Sequence, residues 1–150
     1  MAQTSEERQQ ELERLNTSQL LRRPYEAYIA RLFEQLAQAG YRDVHPAHAI
    51  VFQHLPAAGA RVTELAEQTQ LTKQYLGRLV AELEALGYLE RAPDPADGRA
   101  KLVRLSQSGW EITRAAEGII ANIETVWAQR IGEEGRMELR RHLIDLITAL

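Results

Sequence analysis

The sequence predicts a mainly α-helical chain that contains one small β-hairpin. Three observations indicate this class. Apolar residues recur at helical spacing along most of the chain, and glycine or proline separates the successive stretches. One polar segment, PDPADGRAK at residues 93–101, lies between LGYLER and LVRLSQSG, which both have the pattern of short strands. We therefore expect helices before and after a hairpin whose loop is this polar segment.

Composition limits the possible functions. The chain has 150 residues, of which 26% are charged, with a formal net charge of −3 and no cysteine. This length suits one domain with helical extensions. The lack of cysteine excludes disulfides, thiolate metal sites and peroxide sensing through a thiol. The charged N-terminal sequence MAQTSEERQQELERL is unlike a signal peptide, and no apolar run approaches the ~18 residues of a membrane span. We expect a cytoplasmic protein that has no membrane partner.

The first 56 residues have the pattern of three helices. Residues 1–17 predict a solvated helical extension, because SEERQQELERL has little apolar face. Thr17 or Ser18 is expected to cap the next helix, and Gly40 to end it. Pro24 either starts that helix or kinks it, and the sequence leaves both alternatives open. Pro46 suits the first turn of a short third helix that ends at His54. The predicted buried stripe of the second helix is Tyr25, Ile29, Leu32 and Leu36.

Two closely spaced helices follow the loop at residues 57–59. Thr63 is expected to cap the first helix, with Leu65 and Ala66 facing inward. Thr72 is expected to cap the second, and Gly87 to end it. The predicted inward face of the second helix is Leu76, Leu79, Val80, Leu83 and Leu86.

The hairpin is followed by a long helix that begins after Ser108 or Gly109 and is interrupted by Gly132 and Gly135. Its predicted apolar stripe is Ile112, Ala116, Ile119, Ile120, Ile123 and Trp127. The last helix carries Leu139, Leu143, Leu146, Ile147 and Leu150.

Two short helices joined by a tight turn and followed by a hairpin describe a winged helix-turn-helix, in which the second helix enters the major groove of DNA. Arg78 can donate two parallel hydrogen bonds to guanine or to phosphate, and Gln74 can pair with adenine. Arg99 suits a narrow minor groove, and Asp97 is expected to orient it. The helix residues alone are equally consistent with an ordinary solvent-exposed face and with a DNA-binding face. The cations of the hairpin favour the DNA-binding interpretation. The candidate DNA-binding residues are Thr72, Lys73, Gln74, Tyr75, Arg78, Asp97, Arg99 and Lys101.

Residues 61–109 resemble the core of the MarR family of transcriptional regulators, and the resemblance extends over residues 18–150. The wing pattern D-P-x-D-x-R-x-K followed by V-x-L-[ST]-x-x-G begins at Asp94 and ends at Gly109. Two positions depart from the family: Gln70 stands in the turn where glycine is usual, and Gly98 replaces a usual arginine in the wing. The resemblance implies a winged helix-turn-helix lobe at residues 57–106 and a helical dimerisation region made of residues 18–56 and 107–150.

The resemblance also implies partners. It implies a homodimer that reads a pseudo-palindromic operator in double-stranded DNA, and a repressor that is released when a small aromatic or anionic ligand occupies a pocket between the dimer helices and the DNA-binding lobe. The exposed apolar end of the last helix favours a dimer independently. Each candidate pocket residue also fits ordinary core packing. The candidates are Tyr28, Phe33, His48, Phe52 and Trp110.

The sequence gives little support to a metal site or to an enzyme. His45, His48 and His54 could bring two imidazoles together, but without a cysteine we assign no metal site and leave this possibility open. No nucleophile–base pattern or phosphate loop is present, so we expect no enzyme and no cofactor. Residues 61–105 hold seven Lys or Arg against seven Asp or Glu. This neutrality keeps one rival interpretation, a winged-helix protein–protein interaction module without DNA binding.

Overall fold

The computed structural model describes residues 5–149 and confirms the predicted class: a mainly helical chain with one antiparallel two-stranded hairpin. None of the described helices is long and apolar enough to cross a membrane. The elements are α1 (Ser5–Glu13), α2 (Thr17–Gln38), a 3₁₀ turn (Pro46–His48), α3 (Ala49–His54), α4 (Val62–Thr69), α5 (Lys73–Ala85), β1 (Leu89–Asp94), β2 (Asp97–Leu105) and α6 (Gln107–Thr148).

Helix α2 begins one residue earlier than the sequence predicts. Asn16, and not Thr17 or Ser18, is the N-cap: its Oδ1 accepts from the Gln19 backbone N–H at 3.0 Å. The Gln19 side chain in turn accepts from the Asn16 backbone N–H at 3.1 Å. This reciprocal pair satisfies two N–H groups that the first turn leaves without helical partners, which explains why the helix starts here.

Pro24 does not start α2, because it is the eighth residue of a helix that continues on both sides. The predicted buried stripe of α2 is only half correct. Leu32 and Leu36 are buried against α6, whereas Ile29 is half-buried and Tyr25 is 57% exposed. The N-terminal half of α2 therefore leaves an apolar face uncovered within a single chain.

Helix α4 is capped by Arg61 and not by Thr63. The Glu64 carboxylate accepts from the Arg61 backbone N–H at 2.9 Å, the second half of a capping box. Helix α5 is capped by Thr72 as predicted, since its hydroxyl accepts from the Tyr75 backbone N–H at 3.2 Å.

The turn between α4 and α5 depends on a left-handed residue. Gln70 has φ 56° and ψ 20° and is the only described residue other than glycine with a positive φ. Glycine adopts this region without the steric cost that a Cβ imposes. The turn therefore keeps the tight geometry that a glycine would give, at a cost in strain.

The core lies where α4, α5 and the hairpin meet. Its most deeply buried side chains are Leu65, Leu76, Leu79, Val80, Leu83 and Val103. Ala66 is buried beside them, as predicted. Leu86, predicted to face inward, is 38% exposed, because it is the C-cap of α5 and the chain turns away there toward Gly87 at φ 82°.

The hairpin is longer, and its loop shorter, than predicted. Strand pairing runs from Leu89 opposite Leu105 to Asp94 opposite Asp97, so that only residues 95–96 form the turn. Ala60 pairs with β2 on the edge opposite β1, through two backbone hydrogen bonds with Val103 of 3.0 and 2.9 Å. The hairpin is thereby attached to the loop that precedes α4.

Helix α6 begins at Gln107 with Ser106 as its N-cap, two residues before the predicted Ser108. The Ser106 hydroxyl accepts from the Gly109 backbone N–H at 3.1 Å. Gly109 is buried against the hairpin so closely that a Cβ there would lie 2.1 Å from the Tyr88 carbonyl oxygen. No side chain can occupy that space, so glycine allows the close approach of α6 to Tyr88, the residue before β1.

Gly132 breaks α6, as predicted, with φ 79° and ψ 157°, whereas Gly135 is helical. Ile112 and Ile123 of the predicted stripe are buried, and its other members pack against the core. Beyond Gly132 the apolar residues of α6 are largely exposed, Ile147 by 71%. Leu150 lies outside the described residues.

We expect Gly109→Ala to lower the free energy of unfolding by roughly 1–3 kcal/mol, because its Cβ overlaps the Tyr88 carbonyl. Gly118→Ala is the matched control in the same helix. No atom lies within 4 Å of a Cβ built on Gly118, so this variant should gain about 1 kcal/mol of helix stability. Urea unfolding of both variants measures the difference, and equal effects would contradict the close approach.

Candidate nucleic-acid interface

The outer face of α5 is polar and exposed. Leu76, Leu79, Val80 and Leu83 bury one side of the helix, so the opposite side is turned to solvent. All five candidate residues on this helix and its cap are exposed: Thr72, Lys73, Gln74, Tyr75 and Arg78. This face presents amide, hydroxyl and cationic groups from the first two turns of the helix. Such groups can hydrogen-bond to phosphates and to base edges.

Gly77 lies on α5 between these residues. A Cβ built there would meet no atom within 4 Å. Packing inside the chain therefore does not explain this glycine.

The Arg78 side chain contacts one residue before it and one residue after it on α5. Its Cζ lies 5.2 Å from the centroid of the Tyr75 ring, within the range of a cation–π contact. Its Nε lies 3.6 Å from Oε1 of Glu82, one turn further along α5. The guanidinium group is thus held between a ring and a carboxylate, although 65% of the side chain is exposed.

Glu82 is itself held by a buried histidine from outside α5. Its Oε2 lies 3.0 Å from Nε2 of His48, which is only 2% exposed. Nδ1 of the same ring accepts from the His45 backbone N–H at 3.1 Å. Because Nδ1 is the acceptor, the neutral ring carries its proton on Nε2 and donates it to Glu82.

These hydrogen bonds bear on the metal hypothesis. Both ring nitrogens of His48 have protein partners, and Nδ1 of His54 bonds to the Ile50 carbonyl at 2.9 Å. The His45 and His48 rings stack with their centroids 5.7 Å apart. Within residues 5–149, no group of three or more His, Cys, Asp or Glu is arranged to hold a metal ion.

The hairpin candidates lie at the start of β2. Asp97, Arg99 and Lys101 are exposed strand residues and are not in the turn, which was the predicted position of Asp97 and Arg99. The Asp97 carboxylate accepts from the backbone N–H of Arg99 at 3.1 Å. The predicted bond from Asp97 to the Arg99 guanidinium is therefore replaced by a bond to the backbone, and it is the path of the strand that Asp97 orients.

Arg61 is a residue that the sequence reasoning missed. From the N-cap of α4, its Nε donates to Oδ2 of Asp94 at 2.7 Å, and its Nη2 lies 3.7 Å from Asp97. Asp94 is 8% exposed and ends β1. Thirty-three residues separate the two partners, and no local pattern indicates such a pairing. The burial of Asp94, which implies a cation or several donors beside it, becomes visible only in the structure.

The ionisation of Asp94 reflects these partners. The Ala96 backbone N–H, at 2.8 Å from Oδ1, and then the Arg61 guanidinium hold the pKa of Asp94 below its usual value. The same bond to Asp94 raises the pKa of Arg61. Both groups are therefore charged at neutral pH, and their pairing joins the beginning of α4 to the turn of the hairpin.

Two further cations of this region are paired with acids. Arg91 of β1 donates two bonds, of 2.7 and 3.0 Å, to Glu84 of α5. Arg104 of β2 donates to Glu90 of β1 at 2.7 Å. Together with the Arg61–Asp94 pair, these pairs compensate the charges of three of the seven acidic residues in the segment 61–105.

A cavity of about 320 Å³ lies between α2, α3 and α6. Phe33 and Phe52, two of the five candidate pocket residues, line it together with other apolar side chains. Its polar lining consists of Gln53, Thr113 and Glu117, and no Lys or Arg lines it. His48 does not line the cavity, because it is buried and both of its ring nitrogens are hydrogen-bonded to other residues. Trp110 does not line it either, and 39% of this residue is exposed.

Tyr28, the fifth candidate, lies elsewhere. Its ring packs against Trp127 of α6 at 5.8 Å, beside an open apolar groove between α2 and α6 of about 680 Å³. Tyr25, Leu139 and Leu143 also line this groove. Of the five predicted pocket residues, Phe33 and Phe52 therefore line the cavity, Tyr28 lines the groove, and His48 and Trp110 line neither.

Comparison with known proteins adds to this geometry. Residues 42–100 match a sequence model of the MarR family. An HTH-type transcriptional regulator of Mycobacterium tuberculosis is 35% identical over 89 residues, which are 57% of this chain and 59% of that protein. The chain thus matches little more than half the length of this relative.

Two solved structures are similar over most of their length. The transcriptional regulator Tm0710 of Thermotoga maritima has a TM-score of 0.61 at 26% identity, over 88% of this chain and 92% of its own. The MepR–DNA complex of S. aureus has a TM-score of 0.70 at 20% identity, over 91% of this chain and 99% of the MepR chain. At that identity the second likeness concerns the fold alone.

We expect the stability that Asp94 contributes to disappear in acid. Because its folded-state pKa is depressed, the contribution is present above the ordinary pKa of aspartate, about 4, and is lost as pH falls through the lower folded-state value. Asp94→Asn should therefore be less stable than the natural chain near pH 7, and the difference should shrink below about pH 4. Urea unfolding of both proteins over this pH range measures it. Parallel stability curves would show that the Asp94 charge does not stabilise the fold.

Proposed function

We propose that the chain is a member of the MarR family, whose sequence model residues 42–100 match, and that it is a dimeric transcriptional regulator that binds specific sequences of double-stranded DNA. The match confirms the resemblance found in the sequence. The similar proteins are transcriptional regulators and not enzymes, in agreement with the prediction for this chain. The observation that carries the proposal is the exposed polar face of α5, together with the exposed Arg99 and Lys101 of a hairpin that Arg91 ties to α5.

In this proposal α5 lies in the major groove. Arg78 and Gln74 contact base edges, because both side chains can form paired hydrogen bonds with a purine. Thr72, Lys73 and Tyr75 contact the phosphates, which positions the helix without reading sequence. Arg99 and Lys101 of the hairpin reach the adjacent minor groove or its phosphates. The Arg61–Asp94 pair holds the hairpin at a fixed distance from α4 and α5.

The neutral charge of the region does not oppose this role. Asp94, Glu84 and Glu90 each have an arginine partner at 2.7 Å inside the protein, so their charges are compensated locally. The cations that the proposal assigns to DNA, Lys73, Arg78, Arg99 and Lys101, are all exposed. The distribution of charge, and not its sum, decides whether a surface attracts phosphate.

The second copy of the chain covers the apolar surfaces that one copy leaves exposed. Tyr25 in α2 and Val126, Ile131, Leu146 and Ile147 in α6 are each at least 47% exposed, which is unusual for large apolar residues in a monomer. Residues 18–56 and 107–150 form the dimerisation region, residues 57–106 the DNA-binding lobe, and residues 1–17 an extension. Two lobes related by a twofold axis read half-sites about 34 Å apart.

The chain acts as a repressor that releases DNA when a ligand occupies the cavity beside Phe33 and Phe52. The cavity is lined by α2, α3 and α6, so a ligand there contacts the dimerisation region and the helix next to the DNA-binding lobe. Since Glu117 lines it and no Lys or Arg does, an uncharged aromatic ligand fits better than an anionic one. The compartment of action is the cytoplasm, where the DNA lies.

The rival function is a winged-helix protein–protein interaction module. It shares the fold and the dimer but predicts no affinity for DNA. The two functions differ in the effect of single hairpin cations on DNA affinity.

We expect Arg99→Ala to weaken binding to operator DNA and to reduce the slope of log affinity against log salt by about 1. Gly98→Arg should have the opposite effect, because no atom lies within 4 Å of a Cβ at Gly98 and an added cation can reach phosphate. Arg8→Ala in α1 is the matched control and should change neither quantity. Fluorescence anisotropy on the DNA adjacent to the gene, at several salt concentrations, measures all three variants.

Sedimentation of the complex should show two copies of the chain per operator. Absence of salt-sensitive, sequence-selective binding by the natural chain would instead favour the interaction module. Binding that both hairpin variants leave unchanged would remove the hairpin from the interface.

An uncharged aromatic compound that fills the cavity should raise the melting temperature and weaken DNA binding. At a concentration 100 times its dissociation constant it stabilises the folded state by about 2.7 kcal/mol. Ala116→Trp, which places a ring in the cavity, should abolish both effects, whereas Ala121→Trp on the exposed side of α6 should not. A compound that acts equally on both variants binds elsewhere.

A further inference from the structure

We propose that Glu82 is a positioning residue for sequence recognition: it holds the Arg78 guanidinium in place for reading a base pair, and buried His48 anchors Glu82. This inference rests on the proposed DNA-binding function and deepens it. Glu82 itself contacts no DNA in this proposal. It acts through Arg78.

The geometry of Glu82 supports this role. Its two carboxylate oxygens have different partners: Oε2 meets Nε2 of His48 at 3.0 Å, and Oε1 meets Nε of Arg78 at 3.6 Å. His48 belongs to the 3₁₀ turn that precedes α3, and Arg78 belongs to the exposed face of α5. A single carboxylate thus joins a fixed buried group to an exposed arginine.

The buried anchor distinguishes this arrangement from an ordinary surface pair. Two exposed charged side chains one helical turn apart are both flexible, and such a pair contributes little. His48 is only 2% exposed and its ring is fixed on the other side by the His45 backbone, so it restricts the rotamers open to Glu82. A restricted Glu82, with the Tyr75 ring on the other side, restricts Arg78 in turn.

Restriction before binding favours the correct DNA sequence. An arginine that is already ordered loses less conformational entropy when it pairs with a base. This advantage applies where both guanidinium hydrogen bonds can form, that is, at the matching base pair. Loss of the restriction should lower the ratio of specific to non-specific affinity by roughly 3- to 10-fold.

Because Glu82 is charged, positioning of Arg78 and simple repulsion of phosphate predict different effects when the charge is removed. A carboxylate on a helix that faces DNA repels phosphate, so its removal should strengthen binding to every sequence if charge alone matters. Positioning predicts a different result, because the specific affinity then falls relative to the non-specific one. Glu67, exposed on α4, provides a control with the same change of charge and no contact with Arg78.

The test uses the full chain and three variants. Glu82→Gln keeps an oxygen that can accept from His48 and removes the charge that attracts Arg78. His48→Phe keeps a buried ring and removes the donor that anchors Glu82. Glu67→Ala is the control. The first measurement needs no DNA: ¹⁵N relaxation of the Arg78 Nε–Hε group should show a more mobile side chain in Glu82→Gln and His48→Phe, and no change in Glu67→Ala.

The second measurement is the ratio of affinities for the operator and for unrelated DNA, with a double-mutant cycle that adds Arg78→Ala. Glu82→Gln should lower this ratio in the natural background and leave it unchanged when Arg78 is absent. Equal Arg78 mobility in the natural chain and in Glu82→Gln overturns the proposal, whether or not the chain binds DNA and even if His48→Phe does not fold. A chain that shows restricted Arg78 but no sequence selectivity contradicts the proposed function and leaves Glu82 as a structural residue.

Discussion

The Arg61–Asp94 ion pair is the interaction on which the arrangement of the candidate interface depends. A two-stranded hairpin is marginally stable by itself and needs another element to fix its direction. Here the hairpin is attached twice to the chain just before α4, by the Ala60–Val103 backbone bonds and by Arg61 on the buried Asp94. Arg91 adds a bidentate contact to α5. These contacts fix the strand that carries Arg99 and Lys101 relative to the helix that carries Arg78, so the two elements need no further ordering before they meet one duplex.

Charge in this chain is organised by pairing. The net charge of −3 would suggest a poor partner for DNA, yet the acids next to the candidate interface are engaged by arginines within the protein. Glu82 differs from these acids, since its carboxylate contacts a buried histidine on one side and an exposed arginine on the other. Internal pairing therefore compensates acids and also limits the positions that exposed cations can take. Counting charges along the sequence cannot reveal either effect.

The sequence predicted most of the fold because local signals specify it. Helical spacing, Thr72 as a cap, Gly87 as a terminator and the break at Gly132 depend on neighbouring residues and were correct. Three caps were placed one or two residues late, at Thr17, Thr63 and Ser108. At the first two positions a hydroxyl was preferred over Asn16 and Arg61, and at the third Ser106 and Ser108 offer the same hydroxyl. In each case the observed cap takes part in a bond with the residue three positions on. The Arg61–Asp94 and His48–Glu82 contacts join residues more than 30 positions apart, and local patterns carry no information on them. The exposure of Tyr25 likewise depends on what covers α2, which one chain does not determine.

The most direct measurement of the central claim is the set of backbone amide signals that operator DNA shifts in an NMR titration. If α5 and the hairpin contact one duplex, residues 72–78 and 97–101 should shift together, at the same DNA concentration, while the exposed apolar residues of α2 and distal α6 stay unchanged. Shifts confined to α5 would show that the hairpin does not reach DNA from its position beside α4. Shifts confined to α2 and α6 would place the partner on the opposite part of the molecule and contradict the account.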